Sequence, residues 1–173
     1  MTAVKTDRLL KATIGICLLG LGYVIADSLR DRVVGVGDTA PDFSIVTDNG
    51  RRISRSDFGG KLLVVNFWAT WCPPCVEEMP SLEEFHKRLA PAGVVVLGIS
   101  VDRNERAYRA FLERAGVTFA TARDPEARIS SAYGTYKYPE TYIIDRNGKV
   151  VIKHIGPRDW TDEQLIRNVR ALL

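Results

Sequence analysis

Cysteine is scarce in this chain: 173 residues carry only Cys17, Cys72 and Cys75. That excludes a disulfide-stapled scaffold, which needs more cysteines at wider spacing. Histidine is scarcer, with His86 and His154 alone, so a metal centre has few nitrogen donors to draw on. Lys and Arg are spread along the chain without a basic block, and the formal net charge is only +3. The electrostatic footprint of nucleic-acid binding is therefore missing. Internal repeats and low-complexity segments are absent too. What remains is an ordinary globular composition, with room for one domain and an appendage.

Long apolar runs are also few. Residues 12–26 contain no charge; Lys5, Arg8 and Lys11 precede them, and Asp27, Arg30, Asp31 and Arg32 follow. A spanning helix wants about 20 apolar residues. This run approaches that only by taking in Leu9 and Leu10 or by continuing to Leu29. Two readings compete: a retained signal anchor over 12–29, and a cleaved signal ending at Val24-Ile25-Ala26. We take the anchor, a single transmembrane helix, as the working expectation. In both readings the basic residues hold 1–11 in the cytoplasm and the remainder crosses the membrane. In a bacterial cell the domain would face the periplasm or the exterior. Cys17 is then a small apolar residue of that helix, because Ile16 is too large for a lipidation signal.

Residues 30–36 read as a tether and 37–173 as the domain. Asp42 to Val46, the turn Thr47-Asp48-Asn49-Gly50 and Arg51 to Ile53 predict a hairpin. Leu62 to Trp68 and Val94 to Val101 are near-continuous apolar runs of the fully buried, parallel type. Between them, Val76, Met79, Leu82, Phe85 and Leu89 recur at helical spacing, with Pro80 predicting a kink. Helices are expected over 103–115, from Asp124-Pro125 to about Tyr133, and over 162–173. A short strand is expected at 117–120, and a second hairpin from 141–145 and 150–155. The alternation indicates a three-layer α/β domain, with a mixed sheet whose parallel strands lie at the middle and a hairpin at one edge.

The chemistry concentrates at Trp71-Cys72-Pro73-Pro74-Cys75. Two thiols between a buried strand and a helix N-terminus suit thiol–disulfide exchange, because the helix end favours an attacking thiolate. Cys72, ahead of the helix, is the expected exposed nucleophile, and Cys75 the buried resolving thiol. Pro73 and Pro74 fit a first helical turn yet delete two N–H donors, which predicts a weakly stabilised thiolate and a reducing couple. The rival is a metal half-site. His86 lies about 16 Å along the helix from Cys75 at 1.5 Å per residue, and His154 falls on a predicted edge strand, so neither completes a site. Glu78, three residues after Cys75, is either a proton acceptor for that thiol or one more helix charge beside Glu77, Glu83 and Glu84. Pro139 marks either a strand start or a cis bond. Tyr133, Tyr136, Tyr138 and Tyr142 around it divide between packing and a peptide-binding surface.

Phe67-Trp68-Ala69-Thr70-Trp71-Cys72-Pro73-Pro74-Cys75, Pro80 and Pro139 together resemble the thioredoxin superfamily. Gly37-Asp38-Thr39-Ala40-Pro41-Asp42-Phe43, Glu77-Glu78-Met79-Pro80 and Tyr138-Pro139-Glu140-Thr141 resemble its membrane-anchored TlpA/ResA/CcmG group. The resemblance covers about residues 37–173. It implies a thioredoxin-like fold with an N-terminal hairpin and a central αβ insert, and no cofactor beyond a redox-active Cys72–Cys75 disulfide. It implies a cis Pro139 whose loop, with Trp71, Pro73, Pro74 and Tyr138, holds an incoming peptide, and an active-site role for Glu78. Apocytochrome c is the implied client, and a membrane carrier of the CcdA/DsbD type the implied electron donor. Thioredoxin carries a buried aspartate where this chain has Asn66, so Glu78 or water must serve Cys75 here. Glu140 departs from the Thr of many ResA-like proteins towards the CcmG type. Two alternatives stand beside this reading: a thiol peroxidase, although Ala69-Thr70-Trp71 lacks the usual Pro-x-x-x-Thr-x-x-Cys context, and a tethered metal-delivery or assembly factor.

Overall fold

The computed structural model describes residues 2–28 and 33–173, in two compact units. The first contains one helix, α1 (Thr2–Ser28). The expected transmembrane helix is not found: among the described residues no helix is long and apolar enough to cross a membrane. The physical reason is that the charge-free run stops at Ala26, short of the ~20 residues a bilayer core requires. Leu29 and residues 30–32 of the expected tether lie outside the described residues.

The second unit, Val33–Leu173, is built around one strand. Strand β3 (Leu62–Trp68) is buried at every position, so both of its faces must be covered. Leu62, Val64 and Trp68 pack to one side and Leu63, Val65 and Phe67 to the other, as the two-residue strand period requires. Helix α2 (Pro73–Leu89) returns the chain to β4 (Val94–Ser100), parallel to β3. Helix α3 (Glu105–Ala115) then leads to β5 (Ala120–Arg123), parallel to β4. After the short helix α4 (Arg128–Ala132), β6 (Glu140–Ile144) pairs antiparallel with β3 and with β7 (Val150–Ile155). Helix α5 (Glu163–Arg170) closes the unit.

The five-stranded order is β5-β4-β3-β6-β7, and β1 (Ser44–Val46) and β2 (Arg52–Ser54) form a separate two-stranded sheet. Core residues of α2, α3 and α5 share one face of the large sheet. The small hairpin, Ile129 of α4 and Tyr133 share the other. This is the three-layer, thioredoxin-like arrangement.

Three expectations shift. The parallel strands reach one edge, where β5 is partly covered by a bridge between Thr47 and Ala122. The strand expected at 117–120 begins at Ala120, because Thr118 is held by the Glu83 carboxylate through its N–H and its hydroxyl. The helix expected from Asp124 is only five residues long, because Ala127 takes a left-handed conformation (φ 53°) and Asp124 accepts the Ile129 N–H across that bend. Pro80, by contrast, does not end α2, which runs on to Leu89.

Trp68 is fully buried against Tyr108 and Phe111, with ring centroids 5.8 and 5.2 Å away. It fits because Gly98, beside it on β4, has no side chain: a Cβ there would lie 2.9 Å from Phe119 and 3.2 Å from the indole Nε1. Gly98→Ala should therefore destabilise the domain by about 1–3 kcal/mol through overpacking, read as a lower urea midpoint with an unchanged slope.

Candidate active site

β3 delivers the site, because the turn that follows it is tied down. The Thr70 N–H and hydroxyl donate to the two oxygens of Asp102, at 2.8 and 2.6 Å, and Ser100 Oγ donates to the same carboxylate at 2.6 Å. Asp102 is nearly fully buried, so this clamp joins the end of β4 to the residues just before the cysteines. The Cys72 N–H donates to the Ala69 carbonyl at 3.2 Å and closes the turn.

Cys72 is the N-cap of α2 and is bonded to Cys75 in a disulfide with Cα atoms 5.3 Å apart. The expected exposure of Cys72 needs correction. It is only 5% exposed and Cys75 is fully buried, and both belong to the core cluster of the α2 face. Pro73 and Pro74 occupy the first helical positions without N–H groups, so the donor found on the Cys72 sulfur is the Cys75 N–H, at 3.3 Å.

Glu78 lies one helical turn beyond Cys75 and is 4% exposed. All three partners found for its carboxylate are donors. Asn66 Nδ2 reaches Oε1 at 2.9 Å, while the Arg158 N–H and Trp160 Nε1 reach Oε2 at 3.1 and 3.3 Å. Burial nonetheless outweighs these bonds and pushes the Glu78 carboxyl up to about 7. The segment that supplies two of the donors is itself stitched to α2: the Trp160 N–H donates to Ser81 Oγ at 3.2 Å, and the indole packs on Phe85. At its start, the Gly156 N–H donates to the Pro139 carbonyl at 2.8 Å.

The Tyr138–Pro139 bond is cis. Tyr138 meets Trp71 edge to face, with centroids 6.1 Å apart, and Trp71 is 62% exposed. An open groove of about 620 Å³ runs beside them, lined by Thr70, Trp71, Asp102, Arg103 and Tyr138 among others. The tyrosine cluster therefore divides: Tyr133 and Tyr142 are core, Tyr136 is exposed and Tyr138 borders the groove. Glu140, fully buried, points to the opposite face of the sheet, where Lys153 Nζ and the Tyr142 hydroxyl donate to Oε1 at 2.8 and 2.7 Å. Among the described residues no group of three or more His, Cys, Asp and Glu could hold a metal ion. His86 sits against Phe119, and His154 is within 3.4 Å of the Pro157 carbonyl.

Sequence reasoning missed Asp102, Arg158 and Trp160. A Ser-x-Asp at the end of a buried strand was a usable signal for Asp102. Trp160 has none, since it lies 82 residues from the carboxylate it touches.

A disulfide-forming Cys-x-x-Cys pair at a helix N-cap, in a three-layer α/β domain that also carries a cis-proline, defines a thiol–disulfide exchange protein. The profile of the AhpC/TSA family matches residues 36–153. The thiol-disulfide oxidoreductase ResA of Geobacillus thermodenitrificans is 39% identical over 97% of this chain and 98% of its own. The thioredoxin-like protein YneN of Bacillus subtilis is 37% identical over 78% of this chain and 81% of its own. A Chlorobium tepidum structure described as a thiol:disulfide interchange protein DsbE superposes with a TM-score of 0.74 at 31% identity, covering 80% of this chain and 98% of that one. The chain belongs to the thioredoxin-like AhpC/TSA family, within its ResA-like thiol–disulfide oxidoreductases.

Because the folded Glu78 holds its proton to about 7 against an ordinary 4.5, the native state binds more protons than the unfolded state between those values. Stability contributed by this group is complete below pH 4.5 and is lost as pH rises towards 7. Urea titrations of the oxidised protein should show a decline on the order of 3 kcal/mol across that window. Glu78→Gln should flatten it and be the more stable form at pH 8.

Proposed function

We propose that this oxidoreductase works as an extracytoplasmic dithiol reductase of client proteins, with Cys72 as nucleophile, Cys75 as resolving thiol and Glu78 as proton acceptor. The Cys72 thiolate attacks a client disulfide, forming a Cys72–client bond and releasing one client thiolate. Cys75 then attacks the Cys72 sulfur, its thiol proton passing to the Glu78 carboxylate. The second client thiolate leaves as the Cys72–Cys75 bond forms. The client gains two electrons and the protein leaves oxidised, to be re-reduced by a dithiol carrier.

The carrying observation is the buried carboxyl at position 78, one turn beyond the buried thiol and held near neutrality, where it can both take and return a proton. The reducing direction rests on the two prolines. With one N–H found on Cys72 Sγ, the thiolate gains little from the helix end, and an unstabilised reduced form makes the disulfide the favoured state.

Placement outside the cytoplasm rests on the basic residues ahead of the uncharged run 12–26 and on apolar side chains of α1, such as Leu18, Leu19 and Tyr23, that stay exposed. These support a membrane-directed segment, whether retained or removed. The client class follows from resemblance to the TlpA/ResA/CcmG group: apocytochrome c, through the disulfide of its C-x-x-C-H segment, with a CcdA/DsbD-type carrier as electron donor. The groove beside Trp71 and Tyr138 is where such a segment would dock.

A thiol peroxidase is the second reading, favoured by the AhpC/TSA match itself. A Cys75→Ala variant should form a stable, dithiothreitol-reversible adduct with an oxidised C-x-x-C-H peptide. The same adduct should be missing from Cys72→Ser, and Glu78→Gln should slow release by roughly 10²-fold at pH 7. No adduct together with rapid turnover of hydrogen peroxide would replace the reductase reading with the peroxidase one.

A further inference from the structure

The Glu78 carboxylate is surrounded in a way that suits only one of the two forms it must adopt. Asn66 Nδ2, the Arg158 N–H and Trp160 Nε1 all donate to it. A protonated Glu78 has its own hydrogen to place, and a backbone amide and an indole N–H cannot accept it. Either one of the donors is lost in the buried site, or one partner changes its character.

Asn66 is the partner that can change. It is fully buried on β3. Its Nδ2 donates to two oxygens at once, Glu78 Oε1 and Thr141 Oγ1, each at 2.9 Å. Its carbonyl Oδ1, on the other side of the group, is buried with no hydrogen-bond partner. A half-turn about the terminal side-chain bond exchanges the two atoms at almost no change in shape. Oδ1 then stands where Nδ2 stood and accepts from a protonated Glu78. Thr141 follows at little cost, since a hydroxyl is donor or acceptor according to its rotation.

We propose that the Asn66 carboxamide is a two-state positioning group that turns over as Glu78 gains or loses its proton, the Thr141 hydroxyl reversing with it. Glu78 then meets a partner of the right character at position 66 on both sides of the proton transfer, while the outer atom of the carboxamide is without a hydrogen-bond partner in either state. An ionised aspartate at position 66 could not do this, because it would place a second acceptor 2.9 Å from a carboxylate oxygen. The burial that holds Glu78 near neutrality makes both states accessible under ordinary conditions.

The other titratable groups around Glu78 do not offer this adaptability. On α2 the neighbours are Cys75, held in the disulfide, and Glu83, engaged by Thr118 and Lys87. On β6, Glu140 is committed to Lys153 and Tyr142 on the far face. On β7, His154 lies opposite Thr141 and faces the Pro157 carbonyl. In the following segment, Asp159 accepts from Thr161, and Arg158 presents its backbone to Glu78.

This inference rests on the proton-acceptor reading of Glu78, but its test does not require catalysis. In the isotopically labelled full chain, the Asn66 amide protons should show through-space contacts to the Thr141 methyl group at pH 9. Those contacts should be lost at pH 5, with the same midpoint as the Glu78 carboxyl carbon. In Glu78→Gln the Asn66 signals should keep one set of contacts throughout. In client-peptide kinetics, Asn66→Leu should lower the rate and leave the acid limb of the pH–rate profile within a few tenths of a unit, whereas loss of an Asn66 fixed as a donor would move the limb upward by roughly one unit. Contacts that persist unchanged while Glu78 titrates, or a limb moved up by a full unit in a folded Asn66→Leu protein, would overturn the proposal. An adduct-free Cys75→Ala protein with a titrating amide would sink the reductase reading and leave this one standing.

Discussion

Burial of β3 on both faces along its whole length is the constraint on which the site depends. A strand that admits no water leaves any polar side-chain group it carries dependent on partners fixed by the fold. Of the two on β3, Asn66 finds partners for its Nδ2 on α2 and β6, while the Trp68 indole N–H has no hydrogen-bond partner. The same burial determines where the strand can stop. The chain leaves the sheet at Ala69, and from that point Asp102 takes over the role of the ladder, holding Thr70 through both its backbone and its side chain. The cysteines are thus presented by a turn whose geometry is set by the neighbouring strand, not by their own helix.

Energetically the site is a compromise between two costs. Removing a carboxylate from water is expensive, and three donors around Glu78 offset only part of that expense. A site that fully stabilised the carboxylate would hold it too firmly ionised to exchange protons with a thiol. A site with no donors would keep it permanently protonated. The mixture of strong burial and modest hydrogen bonds at 2.9–3.3 Å lies between these limits.

Much of the scaffold was legible in the chain. Runs such as Leu62 to Trp68 are apolar at consecutive positions, and only a strand covered on both faces accepts that pattern, so β3 was placed to the residue. The thiol pair and Glu78 were legible because their spacing is local to one helix. The misses share a cause in contacts made across the sequence. β5 starts three residues later than its apolar character suggests because Glu83, on another helix, captures Thr118. Cys72, expected to be exposed ahead of its helix, joins a core cluster drawn from strands and helices along the whole domain. The donors to Glu78 from Arg158 and Trp160 belong to a segment with no pattern of its own. Residues 12–26 are a different case: composition suggested a span, and length denied it.

The short connection from Gly156 to Trp160 touches both halves of the site. Its first residue donates to the Pro139 carbonyl, and its later ones donate to Glu78. Under the proposed function, a peptide settling against the cis-proline loop would lean on the same piece of backbone that steadies Glu78. Recognition and proton handling would then share one mechanical support, and selectivity would become a matter of timing as well as fit.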